Sequence, residues 1–187
     1  YASDRYDFRE ASVSESERFD WPTRIHQVLG RCGVRQVAYV PDTGHKRLIE
    51  LCSDDRGMRA IPLTTEEEGI GLLAGAWLGG ERGTLLMQSS GVGNVINMLG
   101  MANECRIPLL MLVTMRGDWG EFNPWQVPMG QATEKALVAA GVIVHRVDDA
   151  DRIAETVESA ARLAFDAGRM VAVLIGQRVV GVKDWSK

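Results

Sequence analysis

The sequence predicts an α/β fold with a doubly wound, mostly parallel sheet that carries helices on both faces. Two observations support this fold class. Short apolar runs bounded by turn residues recur along the chain, and a helical pattern follows nearly every one of them. Apolar strands that alternate with helices are typical of a parallel sheet covered on both sides, with right-handed crossovers between the strands.

The individual elements follow one another almost without interruption. Asp20-Trp21-Pro22 predicts a helix start, since Pro is favoured in the first turn, and Gly33 predicts the end of that helix. Apolar runs predict strands at 36–40, 59–63, 84–88, 108–114, 142–147 and 170–175. The patterns between them predict helices at 45–53, from Glu67 onward, and at 94–104, 131–140 and 150–167. The stretch 115–129 is expected to be irregular.

The length and composition are those of one globular domain. The chain has 187 residues, of which 45% are hydrophobic and 25% are charged, and this is enough for a substantial core. Residues 1–18 are polar and charged, so we expect a flexible leader there and a single domain at 19–187.

The charge and the cysteine content argue against several classes of protein. A net charge of −4 with scattered Lys and Arg gives no support to nucleic-acid or membrane binding. No apolar run reaches the ~18–20 residues that a transmembrane helix needs, and the N-terminal residues do not resemble a signal peptide. Cys32, Cys52 and Cys105 lack metal-type spacing, so we expect reduced thiols in or near the core and a cytoplasmic protein.

Four loops at one edge of the predicted sheet are the expected place for a site. In doubly wound sheets, ligands bind off the carboxyl ends of the strands. The loops at that edge span 41–45, 64–68, 89–94 and 115–129. They carry nearly all of the unusual residues of the chain, so the sequence predicts a ligand site there.

Three consecutive glutamates at 66–68 stand where the second strand turns into a helix. Acidic residues at a helix start suit the helix dipole, so capping is one explanation. The helix behind them contains Gly69, Gly71 and Gly75, and each interior glycine costs roughly 0.8–1 kcal/mol relative to alanine. Such a cost is typical of a helix that another backbone or a ligand approaches closely. The other explanation is therefore a carboxylate beside a cofactor or an interface.

Other polar residues in these loops also allow two interpretations. The run Ser89-Ser90-Gly91-Val92-Gly93 is either a plain tight turn or a cradle for an anion at a helix start, and it is neither GxGxxG nor a Walker A loop. Asp42, His45 and Lys46 lie on the first loop and the start of its helix. A histidine there is either a surface or capping residue or a proton-transfer group.

The long stretch 115–129 is aromatic and polar, and long loops in compact domains are usually functional or disordered. We expect its tryptophans, Trp119 and Trp125, to lie at a subunit interface and leave the role of Arg116 open. The three histidines of the chain fall on different elements without close spacing, so no metal cluster and no Ser-His-Asp triad is predicted.

Three motifs, in this order along the chain, together carry a resemblance to a known family. They are the run from Glu67 to Trp77, the strand end Gln88-Ser89-Ser90-Gly91-Val92-Gly93, and Arg106-Ile107-Pro108-Leu109-Leu110. They resemble the pyrimidine-binding domain of thiamine-diphosphate enzymes, over about residues 20–175. Within that family the chain looks most similar to the group of sulfopyruvate decarboxylase α subunits and phosphonopyruvate decarboxylases, which the stretch 115–133 strengthens.

The resemblance implies a role for one carboxylate. In this family a glutamate hydrogen-bonds the aminopyrimidine ring of the cofactor and promotes the imino tautomer, which removes the thiazolium C2 proton. The resulting carbanion attacks a 2-oxo acid. Alignment of the small-residue helix assigns this role to Glu67. A carboxylate in an apolar, closed site shares a proton with a ring nitrogen more effectively than one in water.

The other expected site residues follow from the same interpretation. Besides Glu67, the residues Ser90, Gly91, Val92 and Gly93 are expected to form the pyrimidine pocket. Asp42, His45 and Arg116 are the candidates for substrate binding, and His45 is also a candidate for catalytic proton transfer. If the substrate carries a sulfonate or phosphonate, a cation such as Arg116 or Lys46 is expected to pair with it.

The sequence departs from the family pattern in two ways. The Gly-Asp-Gly…Asn motif that binds diphosphate and metal is absent, so Mg²⁺ is expected on a second subunit, in a hetero-oligomer such as α2β2 or larger. The paired histidines of pyruvate decarboxylase also have no counterpart. The expected function is a split 2-oxo acid decarboxylase. The alternatives are a thiamine-diphosphate carboligase subunit, or a non-catalytic ligand-binding or regulatory subunit on the same fold.

Overall fold

The computed structural model describes residues 20–182, and within this range strands and helices alternate. The strands are β1 (Val34–Tyr39), β2 (Arg59–Pro62), β3 (Arg82–Gln88), β4 (Leu109–Thr114), β5 (Ile143–Val147) and β6 (Met170–Ile175). The α-helices are α1 (Trp21–Arg31), α2 (Lys46–Asp54), α3 (Glu66–Leu78), α4 (Ser89–Glu104), α5 (Val127–Ala139), α6 (Ile153–Phe165) and α7 (Gln177–Val180). Two short 3-10 helices, Pro124–Gln126 and Ala150–Arg152, precede α5 and α6.

The six strands form one parallel sheet in the order β2-β1-β3-β4-β6-β5. Every residue of β4 and β6 is buried, as expected for strands that are covered on both faces. The chain runs from β1 outward to β2 and then returns to place β3 on the other side of β1. This reversal makes the gap between β1 and β3 the switch point, where the crevice of a doubly wound sheet opens. The predicted fold class is confirmed.

Helices cover both faces of the sheet, with a separate apolar cluster on each face. On one face, α1 and α6 pack on the sheet through side chains such as Ile25 and Val157. On the other face, α4 and α5 pack through Leu99 and Leu137. All four side chains are fully buried, and each contributes about 1.5–3 kcal/mol. The sheet and its helices therefore form a rigid platform for the loops at the carboxyl ends of the strands.

The elements differ most from the expectation in three places. Helix α4 begins at Ser89, directly after β3, so the predicted turn at 89–93 is the first part of a helix. Helix α5 begins at Val127, because Pro128 stands in its first turn and the Asn123 side chain caps the preceding 3-10 helix. Helix α7 has only four residues, too few to show a helical period in the sequence.

The glycines of α3 have two different surroundings. A Cβ added to Gly69 would lie 2.6 Å from Leu85 Cδ1 and 2.9 Å from Leu63 Cδ1, so α3 approaches the sheet closely there. A Cβ added to Gly71 or Gly75 would have no described atom beyond its own helix within 4 Å. The expected close approach is confirmed at Gly69. At the other two glycines, contact with another molecule stays a prediction.

The cysteines are all free thiols. Cys52 is buried and Cys32 is half-buried, as expected, but Cys105 is exposed. The prediction is wrong for Cys105 because this residue caps the C-terminal end of α4 at the surface. The predicted leader at 1–18 lies outside the described residues. No helix within residues 20–182 is long and apolar enough to cross a membrane.

Candidate functional site

A connected set of polar side chains lines the carboxyl ends of the central strands. Gln88, the last residue of β3, donates from Nε2 to Asp42 Oδ1 at 3.0 Å. Thr114, the last residue of β4, donates from Oγ1 to Asp42 Oδ2 at 2.5 Å. Ser90 donates from Oγ to Gln88 Oε1 at 2.9 Å. Two donors therefore fix the carboxylate of Asp42 at the switch point of the sheet.

Two cavities share Asp42 and Thr43 in their walls. The smaller cavity has a volume of about 130 Å³ and is also lined by Gly44, Thr114, Arg116 and the segment from Val180 to Val182. The larger has a volume of about 420 Å³ and is also lined by Tyr39, Pro41, Lys46, Ile49 and Glu50. The loop that carries Asp42 thus borders two neighbouring cavities at this edge of the sheet.

Of the three glutamates at the start of α3, only Glu66 is buried, with 8% of its surface exposed. Its Oε2 accepts a hydrogen bond from Asn94 Nδ2 at 2.8 Å. Its Oε1 lies against Gly91, and a Cβ at position 91 would overlap this oxygen. The starts of α3 and α4 therefore meet at the Glu66 carboxylate, and a glycine permits the contact.

Glu67 and Glu68 lie outside this contact and are exposed. Glu67 accepts a hydrogen bond from Thr65 Oγ1 at 3.1 Å, and Glu68 accepts one from the Thr64 backbone N–H at 2.9 Å. These are contacts local to the helix start, as the capping explanation describes. The role expected of Glu67 stays a prediction. The enclosed carboxylate among the three is that of Glu66, one residue and about 100° of helix rotation away.

Replacement of Gly91 by alanine is expected to disturb the junction of α3 and α4. The added Cβ would also lie 2.6 Å from Glu66 Cγ, so rotation of the carboxylate alone does not relieve the overlap. Gly93→Ala is the matched control, because a Cβ there meets only Met129 Sδ, at 3.7 Å. Both changes bring the same gain in helix propensity. We expect Gly91→Ala to be less stable than Gly93→Ala by about 1–3 kcal/mol in chemical unfolding. Equal stabilities would contradict the contact.

Residues 89–93, which were expected to form a turn beside the site, form the first part of helix α4. Ser89 is buried, and its Oγ accepts from the Arg116 N–H at 3.0 Å and donates to the Arg116 carbonyl at 3.2 Å. Ser90 and Gly91 contact Gln88 and Glu66 as described above. The Val92 side chain is fully buried in the core, and Gly93 is exposed. Their place in the pyrimidine pocket stays a prediction.

Arg116 is held in a buried ion pair. Its Nε and Nη2 each donate to the Glu121 carboxylate at 2.6 Å, and the two side chains are 9% and 2% exposed. Glu121 accepts further hydrogen bonds from Gly117 N, Asn123 N and Gln177 Nε2. Hydrogen bonding from Arg116 is the main cause that lowers the pKa of Glu121 to about 2. Arg116 lines the smaller cavity, but its charge is already compensated within the chain.

His45 lies in the core, 1% exposed. Its Nε2 donates to the Leu112 carbonyl at 3.0 Å, and its Nδ1 has no partner among the described atoms. Burial lowers the pKa of His45, so the ring is held neutral. His45 lines neither of the two cavities. The predicted roles of His45 in substrate contact and proton transfer need a ring that reaches a cavity. In the structure the ring is buried and donates to a carbonyl of strand β4 instead.

The loop after β4 is fixed at its base and presents aromatic side chains outward. Arg146 Nη2 donates to Asp118 at 2.5 Å, and the Arg178 guanidinium stacks 3.7 Å from the centre of the Trp119 ring. Trp119 is 51% exposed and Trp125 is 84% exposed. Their place at a subunit interface stays a prediction.

Sequence reasoning missed four residues of this arrangement: Glu66, Gln88, Asn94 and Glu121. Glu66 had a usable signal, since it shares a helix face with the buried Ile70 and Leu73 at i+4 and i+7. Gln88 and Asn94 flank the Ser-Gly run. The pairing of Glu121 with Arg116 had no signal in the sequence. Among residues 20–182, no group of three or more His, Cys, Asp or Glu side chains could hold a metal ion.

The fold defines the chain as a doubly wound α/β domain, with a buried glutamate where the starts of α3 and α4 meet. The family described as "Thiamine pyrophosphate enzyme, N-terminal TPP binding domain" matches residues 23–122. The chain belongs to this family, and the resemblance seen in its motifs is confirmed.

Two relatives and one solved structure illustrate the similarity. The chain is 36% identical to the sulfopyruvate decarboxylase subunit alpha of Methanococcus maripaludis over 152 residues, 81% of this chain and 91% of that one. It is 39% identical to the phosphonopyruvate decarboxylase of Streptomyces hygroscopicus over 103 residues, 54% of this chain and 26% of that one. The 2-oxoglutarate:ferredoxin oxidoreductase from Magnetococcus marinus superposes with a TM-score of 0.66 at 15% identity, over 86% of this chain and 29% of that one. This last similarity shows a shared fold.

Proposed function

We propose that this chain is the pyrimidine-domain subunit of a thiamine-diphosphate-dependent 2-oxo acid decarboxylase, with a sulfopyruvate- or phosphonopyruvate-like substrate. The observation that carries the proposal is the buried Glu66 carboxylate, which lies against Gly91 and accepts a hydrogen bond from Asn94. The reaction class is supported by the names of the two decarboxylase relatives.

The surroundings of Glu66 suit a ring nitrogen of the cofactor. Within residues 20–182, Asn94 is the one side chain that donates to the Glu66 carboxylate, and it does so on Oε2. Oε1 therefore keeps acceptor capacity, beside a glycine that permits close approach. A hydrogen bond to a carboxylate is strengthened where the site excludes water. These features fit the family role of an activating glutamate better than the exposed Glu67 does.

Each residue of the site then has a defined task. When bound, thiamine diphosphate supplies the nucleophilic carbon and the electron sink for decarboxylation. Glu66 shares a proton with a ring nitrogen of the pyrimidine: it donates when the proton is on the carboxyl group and accepts when the proton is on the nitrogen. Gly91 leaves room for the Glu66 side chain. Ser90 holds Gln88, and Gln88 in turn holds Asp42. Glu67 and Glu68 stabilise the start of α3.

A second subunit is part of the proposal. The sequence contains no Gly-Asp-Gly…Asn motif, so we assign the diphosphate and Mg²⁺ to the partner, in a hetero-oligomer such as α2β2 or larger. The match to phosphonopyruvate decarboxylase covers 26% of that chain, and most of that enzyme lies outside the match. The relative in Methanococcus maripaludis is named as subunit alpha, which also supports a partner.

The cavities around Asp42 are the proposed substrate site. An anionic substrate tail needs a cation, and Arg116 is already paired with Glu121. Lys46 lines the larger cavity, is exposed, and forms no ion pair with any described residue. We therefore assign the contact with the sulfonate or phosphonate to Lys46, while Arg116 shapes the wall of the smaller cavity.

Lys46→Met is expected to raise the KM for a sulfonate-bearing 2-oxo acid about 10- to 100-fold with little change in kcat, since a hydrogen bond to a charged group contributes about 1.5–3 kcal/mol. The KM for pyruvate is expected to stay unchanged, because pyruvate lacks the second anion. Arg47→Met is the control, since Arg47 is exposed on the same helix and lines neither cavity. A KM that rises equally for both substrates would argue against this assignment.

Purification of the tagged chain with its partner tests the proposed function. We expect a stoichiometric second subunit with a Gly-Asp-Gly…Asn motif, and CO₂ release from a sulfonate- or phosphonate-bearing 2-oxo acid when thiamine diphosphate and Mg²⁺ are present. Product analysis distinguishes the alternatives, because a decarboxylase releases an aldehyde and a carboligase forms a new carbon–carbon bond. A complex that binds neither thiamine diphosphate nor Mg²⁺ would overturn the proposal.

A further inference from the structure

Asn94 determines how the Glu66 carboxylate is oriented. The distance from Asn94 Nδ2 to Glu66 Oε2 is 2.8 Å. An ionised carboxylate only accepts hydrogen bonds, so the amide nitrogen, not the amide oxygen, must face it. No other described side chain donates to Glu66. This one hydrogen bond therefore fixes the plane of the carboxylate, with one oxygen on Asn94 and the other beside Gly91.

The contact joins the starts of two helices that leave the sheet at the same edge. Glu66 is the first residue of α3, and Asn94 is the sixth residue of α4. Glu66 is buried, whereas Asn94 is exposed and contributes little to packing. The contribution of Asn94 to this region is thus its hydrogen bond.

No charged side chain of the neighbouring described elements forms a hydrogen bond or an ion pair with the Glu66 carboxylate. On its own helix, Glu67 and Glu68 bond to Thr65 and Thr64. Helix α3 packs against α4, β3 and β1. The titratable side chains of these three elements either lie at the end of the element away from Glu66 or belong to the apolar cluster on the other face of the sheet. These side chains are Glu104, Arg82, Arg35 and Tyr39.

We propose that Asn94 is a positioning residue that turns Glu66 Oε1 toward the cofactor. This inference rests on the proposed function of Glu66. Without the amide donor, packing against Gly91 alone holds the carboxylate, and the fraction of time that one of its oxygens faces the cofactor falls.

The test compares variants in the reconstituted complex. We expect Asn94→Ala to lower kcat about 10- to 100-fold with an unchanged KM for the 2-oxo acid, and to weaken thiamine diphosphate binding several-fold in a titration. Asn94→Asp keeps the shape but adds a carboxylate beside Glu66, so the acid limb of the kcat profile is expected to move up by about one pH unit. Asn97→Asp is the matched control, since Asn97 is exposed on α4 one turn later.

Three outcomes would overturn the inference. Asn94 variants that match the wild type in kcat, in cofactor affinity and in pH profile, while Glu66→Gln is inactive, would remove the role of Asn94 and leave the proposed function intact. An Asn94→Asp profile that equals that of Asn97→Asp would show that Asn94 only ties α3 to α4. If Glu66→Gln is fully active as well, the proposed function itself fails.

Discussion

Glu66→Gln is expected to lower the turnover of the reconstituted complex by about 10²–10⁴-fold, the usual range for loss of a general acid–base group. The amide keeps the size of the side chain and its contact with Gly91, but it cannot share a proton with a ring nitrogen. The folded state should be preserved, so thermal unfolding of the variant should resemble that of the wild type. Steady-state release of CO₂ measures the effect.

The neighbouring glutamates provide the controls for this substitution. Glu67→Gln and Glu68→Gln remove charges that are exposed at the same helix start, so we expect small stability losses of about 0.3–1 kcal/mol and nearly normal turnover. If Glu67→Gln abolishes turnover instead, the cofactor lies against the outward face of α3. Gly71 shares that face, and a Cβ there would have no described neighbour beyond its own helix.

Glu121→Gln is expected to destabilise the chain by about 3–5 kcal/mol, the cost of leaving a buried guanidinium without its partner. Arg116 is 9% exposed and Glu121 is 2% exposed, so water cannot replace the lost charge. The matched control is Glu158→Gln, because Glu158 pairs with Arg162 at the surface. The control should change stability by no more than about 0.5–1 kcal/mol. Urea unfolding at neutral pH compares the two, and equal losses would contradict a buried pair.

The same pair predicts a pH dependence of stability. The pKa of Glu121 is lowered from 4.5 to about 2 in the folded chain, mainly by the hydrogen bonds from Arg116. A group whose folded-state pKa is depressed stabilises the fold above its unfolded pKa, and the stabilisation is lost as pH falls. The difference in stability between wild type and Glu121→Gln should therefore be full above about pH 4.5 and shrink toward pH 2. A difference that stays constant over this window would contradict the depressed pKa.

The fold was predictable because its strongest signals are local. Strands β4 and β6 are continuous apolar runs, and each lies fully buried in the sheet. One of the wrong boundaries depends on a contact between distant parts of the chain. Helix α4 begins at Ser89, whose hydroxyl exchanges two hydrogen bonds with the backbone of Arg116, 27 residues away. No pattern in the run 89–93 reveals that contact.

The region of the candidate site was predictable, but the arrangement of its side chains was only partly so. The four loops contain Asp42, Arg116 and the Glu66 region, because parallel strands end at one edge. The choice among three consecutive glutamates depends on the rotation of α3, which is set by the packing of Gly69 against Leu85. Glu66 lies on that packed face, and Glu67 does not. The burial of His45 likewise depends on a carbonyl of β4, a strand that is distant in sequence.

Proton exchange at C2 of the bound cofactor tests the central claim most directly. The reconstituted complex with thiamine diphosphate and Mg²⁺ is placed in deuterium oxide, and loss of the C2 proton is followed by quenched-flow NMR. We predict that Glu66→Gln slows this exchange by about 10²–10⁴-fold while Glu67→Gln exchanges at nearly the wild-type rate. Wild-type exchange in the Glu66 variant would show that this buried carboxylate does not activate the cofactor, and would contradict the account.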